Sequence, residues 1–165
     1  MSAPVVPVRP LAVLDIDGVL ADVSHRVAHV QRRPKNWAAF FAAMADDPVL
    51  PEGLALANQL AKDHDVVYLT GRPAAYAQVT REWLDRHGLP VGPVVHRRDG
   101  DRRPARVAKA ALLRAILAKA SVAVAVDDDE AVCEAYRRLG VHVVCADWAP
   151  RATMHLRREQ ERGTT

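Results

Sequence analysis

Short apolar runs alternate with longer stretches of helical periodicity along most of the chain. The apolar runs predict five strands, at residues 11–14, 66–69, 94–95, 122–126 and 141–145. Apolar residues at helical spacing predict the helices between them, at residues 51–62, 73–87, 104–120 and 130–139. Because short, fully apolar strands between helices are typical of a parallel sheet covered on both faces, we predict a three-layer, doubly wound α/β fold.

The segment between the first strand and the first predicted helix, residues 18–50, is too long for a plain loop. Four of its residues fall at helical spacing, which predicts a small packed helix rather than a cofactor site: Trp37, Phe40, Phe41 and Met44. We interpret this segment as a compact flap beside the site. Between residues 70 and 109 no insertion is long enough to form a large cap domain.

The composition is that of a single folded domain. Of the 165 residues, 50% are hydrophobic and 26% are charged, close to the globular average. We expect one domain over residues 1–165, with a core over about 11–146 and a C-terminal tail over 147–165. No apolar run has the length of a membrane span, and the first ten residues lack the apolar stretch of a signal peptide. A cytoplasmic location without a membrane partner is therefore expected.

Cysteine content and charge narrow the candidate chemistry only slightly. Cys133 and Cys145 stand in no Cys/His ligand pattern, so we expect both to pack in the interior and expect no zinc site. The formal net charge is +3, and nearly all of the 23 basic residues are arginines. The arginines fit either phosphate recognition, because a guanidinium binds oxygens bidentately, or a GC-rich coding bias.

Polar residues come directly after three of the predicted strands. Asp15 and Asp17 follow the first strand, Thr-Gly-Arg at 70–72 follows the second, and three aspartates at 127–129 follow the fourth. In an open α/β sheet, ligands bind beyond the carboxyl ends of the strands, so these side chains are expected at one rim. Lys109 lies in the first turns of the helix that precedes the fourth strand, within reach of the same rim.

These residue types suit phosphoryl transfer through a covalent intermediate. The carboxylate of Asp15 can attack phosphorus, and that of Asp17 can protonate the leaving oxygen and later activate water. Thr70 can donate to a phosphoryl oxygen, and Lys109 can offset its negative charge. Several carboxylates at one rim repel each other unless a cation neutralises them, and Mg²⁺ with oxygen ligands is the natural candidate.

The residues are similar in type and order to the four motifs of haloacid dehalogenase (HAD) phosphohydrolases, and the resemblance covers residues 11–145. It implies a Rossmann-like HAD fold with Asp15 as nucleophile and Asp17 as general acid/base. It further implies that Thr70 and Lys109 bind the phosphoryl group. The implied Mg²⁺ ligands are Asp15, the Asp17 carbonyl and Asp127, with Asp128 nearby.

A narrower resemblance is to the 3'-phosphatase domain of bacteriophage polynucleotide kinase-phosphatases. Four stretches carry it, and they begin at Asp15, Thr70, Arg97 and Tyr136. The resemblance implies four substrate-binding residues: Arg26, Gly71, Arg72 and Arg97. Two residues depart from that family's pattern. Ala105 stands where the family has an acidic residue, and Asp129 stands where it commonly has an arginine. The sequence contains no Gly-x-x-x-x-Gly-Lys-Ser/Thr, so no kinase chemistry is expected of it.

Three functions stay open on the sequence. The first is removal of 3'-phosphates from nucleic-acid ends, as in nucleic-acid repair. The second is hydrolysis of nucleotides or other small phosphomonoesters. The third is a catalytically silent module that binds phosphorylated ends, against which the intact set of reactive residues argues.

Several charged residues have two interpretations each. Arg26 is either a substrate ligand or a solvated flap residue, and His25 is expected to be a polar loop residue rather than a proton shuttle. The arginines within residues 97–106 either contact a phosphate backbone or belong to a solvated loop. The basic run over residues 151–162 is predicted to be an exposed helix or a frayed tail.

Overall fold

The central sheet has five parallel strands in the order β3-β2-β1-β4-β5. The computed structural model describes residues 8–162. The strands are β1 (Leu11–Leu14), β2 (Asp65–Pro73), β3 (Val94–Arg97), β4 (Val122–Asp127) and β5 (Val143–Cys145). All four strand pairs are parallel, which confirms the predicted five-stranded parallel sheet.

Helices cover both faces of this sheet. Within residues 8–162 they are α1 (Ala28–Gln31), α2 (Trp37–Ala42), α3 (Pro51–Leu60), α4 (Ala77–Arg86), α5 (Ala105–Leu117), α6 (Glu130–Arg138) and α7 (Thr153–Glu161). Three short 3₁₀ helices are Ser24–Arg26, Ala43–Asp46 and Ala74–Tyr76. The architecture is the predicted three-layer, Rossmann-like α/β fold, and the described residues include no large cap domain. None of the described helices is long and apolar enough to cross a membrane.

The side chains of each strand point alternately to the two faces of the sheet, so the hydrophobic core has two parts, one on each face. Leu14 belongs to an apolar cluster that contains Trp83 of α4, whereas Val13 belongs to the cluster that contains Leu113 of α5. Successive side chains of a strand point to opposite faces, and here both faces are covered by helices. This arrangement explains why the central strands are uninterrupted apolar runs in the sequence.

Several element boundaries differ from the prediction. The helix predicted over residues 73–87 begins later, because β2 continues through Pro73, which pairs with Arg97 of β3. A 3₁₀ turn follows, and α4 begins at Ala77. Pro104 has an extended ψ of 145° and therefore precedes α5 instead of opening it. Two elements are shorter than predicted: α5 ends at Leu117, and β5 begins at Val143.

The flap, residues 18–50, packs as a small apolar unit against the C-terminal helix. The predicted helix at its centre is present as α2. The buried residues of the unit are Val23, Val27, Val30, Phe40, Phe41 and Met44, together with Leu156 of α7. The prediction of an exposed helix or frayed tail over residues 151–162 is wrong for α7, in which Leu156 and Glu159 are buried. Docking on the flap holds this helix beside the sheet.

Candidate active site

Three buried charged residues meet where β1 and β4 end. Asp15 directly follows β1, Asp127 ends β4, and Lys109 lies in the second turn of α5. The Lys109 Nζ lies 2.8 Å from Asp15 Oδ2 and 2.7 Å from Asp127 Oδ2. Burial lowers the pKa of Lys109, but Asp127 and Asp15 outweigh burial and raise it well above its usual value. The ammonium group therefore stays charged between the two carboxylates.

A cluster of three carboxylates, Asp15, Asp127 and Asp128, surrounds this point. One carboxylate oxygen from each residue lies within 4.8 Å of the other two. Burial raises the pKa of Asp15 despite Lys109, and burial together with the charge of Asp127 raises the pKa of Asp128 to about 7. The positively charged side chains of the protein therefore do not fully balance the negative charge of these three carboxylates. Buried oxygen donors with unbalanced charge fit Mg²⁺, which prefers such ligands.

Gly18 gives Asp128 the room to join the carboxylate cluster. Its φ of 81° lies in the left-handed region that glycine adopts without steric cost. A Cβ at this position would lie 2.0 Å from Asp128 Oδ2. Any side chain at residue 18 would therefore displace Asp128, which explains the glycine that closes the Asp-x-Asp-Gly motif.

The C-terminal helix also reaches the carboxylate cluster. The Arg157 Nε of α7 donates a 2.8 Å hydrogen bond to Asp128 Oδ2. The neighbouring Leu156 packs into the flap, which fixes the helix in this position. Arg157 could not be singled out from the sequence, because its partner lies 29 residues away and nothing local in the basic tail indicates the contact.

Asp129, one of the two departures from the family pattern, orders the turn after β4. Its Oδ1 accepts a 2.9 Å hydrogen bond from the Ala131 amide and caps α6. Its own amide donates a 3.0 Å hydrogen bond to Asp127 Oδ1. The other departure, Ala105, is buried at the start of α5. Both positions therefore have structural roles next to the site.

Thr70 and Gly71 lie in β2 beside the end of β1. Leu14 pairs with Tyr68 in the parallel ladder, so the two residues continue past β1 alongside Asp15. Thr70 is fully buried, and its Oγ1 accepts a 3.1 Å hydrogen bond from the Arg72 amide. A hydroxyl that accepts a hydrogen bond still has its own proton to donate to a further acceptor.

Two arginines hold the carboxylate of Asp17. Its Oδ1 accepts hydrogen bonds of 2.6 and 3.0 Å from Nη2 and Nε of Arg72, and one of 2.9 Å from Nη2 of Arg26. Burial raises the pKa of Asp17, but Arg72 and Arg26 together lower it to about 2. The arginines thus hold the side chain of Asp17 through Oδ1, and Asp17 is not one of the three carboxylates of the cluster. Its carbonyl is the group that fits the implied metal contact.

Asp47 of the flap, which was not predicted as a site residue, holds both arginines in place. Its carboxylate accepts two 2.8 Å hydrogen bonds from Arg26 and one of 3.0 Å from Arg72. The side chain is fully buried, and its carbonyl accepts a 2.8 Å hydrogen bond from the Trp83 indole. Two buried arginines require a buried acid, but their burial, and with it the need for an acidic residue in the flap, becomes visible only in the structure.

Arg26 is fully buried, so it is not the solvated flap residue of the alternative interpretation. Its guanidinium lies over the Phe40 ring, 4.2 Å from the centroid. Among residues 8–162, no acceptor lies within hydrogen-bonding distance of its buried Nη1. His25, next in the chain, is partly exposed and contacts Asp47 at 2.8 Å.

Arg97 lies at the end of β3, where it contacts the loop that leads to α5. It donates a hydrogen bond to the Arg103 carbonyl and lies 3.9 Å from Asp101. The structure therefore shows Arg97 bracing this loop, on the strand next to Arg72. The remaining arginines within residues 97–106 are exposed: Arg98, Arg102, Arg103 and Arg106. Arg103 pairs with Asp101 at 2.7 Å, and Arg106 pairs with Glu161 at 2.5 Å.

Comparison with known sequences identifies one similar family. Residues 10–148 match the family described as the polynucleotide kinase PNKP phosphatase domain. The matched region contains every residue of the site except Arg157 of α7. Among curated protein sequences there is no significant match.

Solved structures share the fold. A chain of the Pnkp1/Rnl/Hen1 RNA repair complex superposes with a TM-score of 0.71 at 21% identity, over 86% of this chain and 43% of that one. This chain thus spans less than half of that protein. A HAD-like hydrolase from Streptococcus pneumoniae has a TM-score of 0.62 at 13% identity, over 92% and 91% of the two chains. A HAD enzyme from Bacteroides thetaiotaomicron, in complex with magnesium and inorganic phosphate, superposes with a TM-score of 0.53 at 11% identity. The superposition covers 86% of this chain and 96% of that one.

Proposed function

Because the chain belongs to the family of polynucleotide kinase PNKP phosphatase domains, and so is a HAD-type phosphatase, we propose that it removes 3'-phosphates from nucleic-acid ends. We further propose that the phosphoryl group is held transiently on Asp15 and that Mg²⁺ is the cofactor. The observation that carries the proposal is the contrast between two neighbouring carboxylates. Asp15 lies beside Lys109 in the carboxylate cluster, whereas Asp17 lies between Arg26 and Arg72.

The two carboxylates divide the reaction between them. In the first half, an oxygen of Asp15 bonds to phosphorus while the bond between phosphorus and the leaving oxygen breaks. Asp17 donates its proton to the leaving oxygen. In the second half, water bonds to phosphorus, the bond to Asp15 breaks, and Asp17 takes the proton of the water. Inorganic phosphate leaves, and both side chains return to their starting forms.

Substrate binding prepares Asp17 to act as an acid. In the structure, Arg26 and Arg72 keep its carboxylate ionised. Phosphate oxygens compete for the same guanidinium groups, because arginine binds phosphate and carboxylate in the same way. Once the arginines share their charge with the substrate, the interactions that lower the pKa of Asp17 weaken, and it gains a proton more readily.

The other site residues orient the reacting groups. Lys109 holds Asp15 by a 2.8 Å contact, and the Thr70 hydroxyl is a donor for a phosphoryl oxygen. Mg²⁺, bound by the carboxylate cluster with the Asp17 carbonyl, would neutralise charge on the carboxylates and the phosphoryl group. Removing the metal is therefore expected to stop turnover.

The substrate assignment rests on the family, on the absence of a large cap and on the two arginines beside Asp17. No large cap covers the rim in residues 8–162, so the end of a polymer has access. The buried Nη1 of Arg26, which has no acceptor among those residues, provides a donor for a substrate oxygen. The two arginines beside Asp17 suit the negatively charged nucleotide that carries the phosphate.

Small nucleotides are the second candidate substrate class. Two of the four exposed arginines that could follow a polymer backbone are paired with acids, Arg103 with Asp101 and Arg106 with Glu161. Paired charges add less to polymer binding than free ones, because the acid competes with the phosphate. Such a surface favours a substrate that is held at the rim alone.

The distinguishing experiment measures kcat/KM on matched 3'- and 5'-phosphorylated oligonucleotides and on mononucleotides, at two salt concentrations. We expect the 3'-phosphorylated oligonucleotide to be preferred by at least about tenfold, with a steep loss of apparent affinity in salt. The variant Arg26→Ala should lose more activity on oligonucleotides than on an aryl phosphate, whereas the exposed control Arg103→Ala should retain both. Preference for mononucleotides with little salt response would instead support the second candidate.

A further inference from the structure

The two cysteines of the chain lie side by side next to Asp127, the last residue of β4. Cys133 is in the first half of α6, and Cys145 ends β5. Their Sγ atoms are only 2.8 Å apart, although both are free thiols. Cys145 is the register partner of Asp127, and the Cys133 Sγ lies 3.4 Å from the Asp127 carbonyl oxygen. The fold therefore brings together two thiols that are 12 residues apart in sequence.

The spacing of the sulfur atoms suits a bond between them. A disulfide has an S–S length of about 2.05 Å, so the atoms need to approach by only about 0.8 Å. The carboxylate of Glu130 lies 3.0 Å from the Cys145 Sγ. Glu130 and the two cysteines could therefore bind a thiophilic metal ion instead of forming a disulfide. Two thiolates on one tetrahedral zinc ion lie about 3.8 Å apart, given Zn–S bonds of about 2.3 Å. The sulfurs are already closer than that, and Glu130 is paired with Arg137 at 2.7 Å.

Only one of the two thiols is accessible. Cys133 is fully buried, whereas Cys145 is partly exposed and lines a cavity of about 410 Å³. The charged residues that line the cavity are of both signs: Asp128, Glu130, Asp147, Arg151 and Arg157. A small disulfide can therefore reach Cys145 but not Cys133.

We propose that Cys133 and Cys145 are a reversible modification site, which a low-molecular-weight disulfide such as glutathione disulfide converts into an intramolecular disulfide. The Cys145 thiolate attacks the reagent, forms a mixed disulfide and releases one glutathione thiolate. The Cys133 thiolate then attacks the Cys145 sulfur, forms the internal bond and releases the second glutathione. The two thiol protons pass to the two glutathione thiolates, so the protein loses two electrons and the reagent gains them.

The test is incubation of the reduced 165-residue chain with glutathione disulfide, followed by intact mass spectrometry and thiol titration. Because the chain has two cysteines, the titration gives a direct count. We expect titratable thiols to fall from two to none, with a mass loss of two hydrogen atoms and no retained glutathione. A reductant should reverse both changes. The reaction is followed to equilibrium, because burial raises the pKa of both thiols and leaves little thiolate at neutral pH.

Single substitutions separate the roles of the two thiols. Cys133→Ser should stop at one glutathione on Cys145, and Cys145→Ser should acquire none, because Cys133 is buried. Cys133→Ala replaces Cys133→Ser if circular dichroism shows that the serine variant is unfolded. Persistence of two titratable thiols in the wild-type chain, or a stable glutathione adduct on it, would overturn the proposal. So would stoichiometric zinc that must be stripped from the reduced protein before its thiols titrate.

Discussion

Asp47 accepts two hydrogen bonds from Arg26, through Nε and Nη2, each 2.8 Å long. The same carboxylate accepts a third, of 3.0 Å, from Arg72. One buried acid of the flap therefore fixes both guanidinium groups that hold Asp17. The flap is thus part of the site, and it acts on the reacting carboxylate through two arginines.

Asp47→Asn removes this charge at nearly constant volume and leaves two buried arginines undercompensated. We expect the free energy of unfolding to fall by about 3 kcal/mol, which is typical of a broken buried ion pair. We also expect kcat/KM to fall at least about tenfold, because Arg26 and Arg72 lose their positions. Urea denaturation and steady-state kinetics measure the two effects. The matched control is Asp46→Asn, at an exposed neighbouring position, and an Asp47→Asn protein indistinguishable from this control would refute the role.

Asp17→Asn tests the general acid. Proton transfer to the leaving oxygen matters most for poor leaving groups, and such catalysis contributes about 10²- to 10⁴-fold. We expect a loss in that range for alkyl phosphates and a much smaller loss of the first step for aryl phosphates with acidic phenols. Presteady-state release of the leaving group across a series of esters is the measurement. The same loss for every ester would mean that Asp17 does not protonate the leaving oxygen.

The raised pKa of Asp128 makes the stability of the metal-free protein depend on pH. The folded pKa of about 7 lies above the unfolded value. The folded state therefore binds a proton on Asp128 more tightly than the unfolded state does. The resulting stabilisation of the folded state is complete below about pH 4 and is lost as the pH rises through about 7. Asp15, whose pKa is also raised, acts in the same direction.

We accordingly expect Tm in chelator to rise by several degrees as the pH falls from about 8 to about 5. Asp128→Asn should show a smaller rise, because the amide does not titrate. Adding Mg²⁺ should raise Tm more at the higher pH, where the carboxylates carry more charge. Thermal melts of both proteins, with and without metal, provide the measurement. Identical pH responses of the two proteins would contradict this account.

Arg157 links the C-terminal helix to the carboxylate cluster through its 2.8 Å contact with Asp128. In Arg157→Ala, Asp128 loses its nearest cation, so we expect a lower Tm for the metal-free protein. The extra Tm gained on adding Mg²⁺ should be larger than in the wild type, because the metal then provides the missing positive charge. The control is Arg158→Ala, at an exposed position on the same helix. If both variants gain equally from Mg²⁺, Arg157 has no electrostatic role at the cluster.

Site residues that lie at strand ends could be predicted from the sequence, whereas those positioned by tertiary packing were missed. Asp15, Thr70 and Asp127 were identifiable because each interrupts an apolar strand, and parallel strands align such positions at one edge. The family resemblance is confirmed by the match over residues 10–148. A single-domain organisation and a cytoplasmic location stay predictions.

Asp47 and Arg157 could not be found in this way. Each lies outside the periodic elements of the sheet, and each has its partner more than 20 residues away in sequence. Their positions depend on how the flap and α7 pack on each other, which no local pattern encodes. The early helix start predicted at Pro73 failed for a related reason, because pairing with β3 keeps the backbone extended there.

The central claim, a phosphoryl group held on Asp15, is tested most directly by trapping the intermediate. Asp17→Asn should accept the phosphoryl group from an aryl phosphate in the presence of Mg²⁺ but hydrolyse it slowly, because it lacks the base for the second half. Acid quenching, borohydride reduction of the acyl phosphate to homoserine, and peptide mass spectrometry then locate the labelled residue. The account predicts near-stoichiometric homoserine at residue 15, and none when Asp15→Asn is combined with Asp17→Asn. Release of the phenol with no label at Asp15, or with the label on another residue, would contradict it.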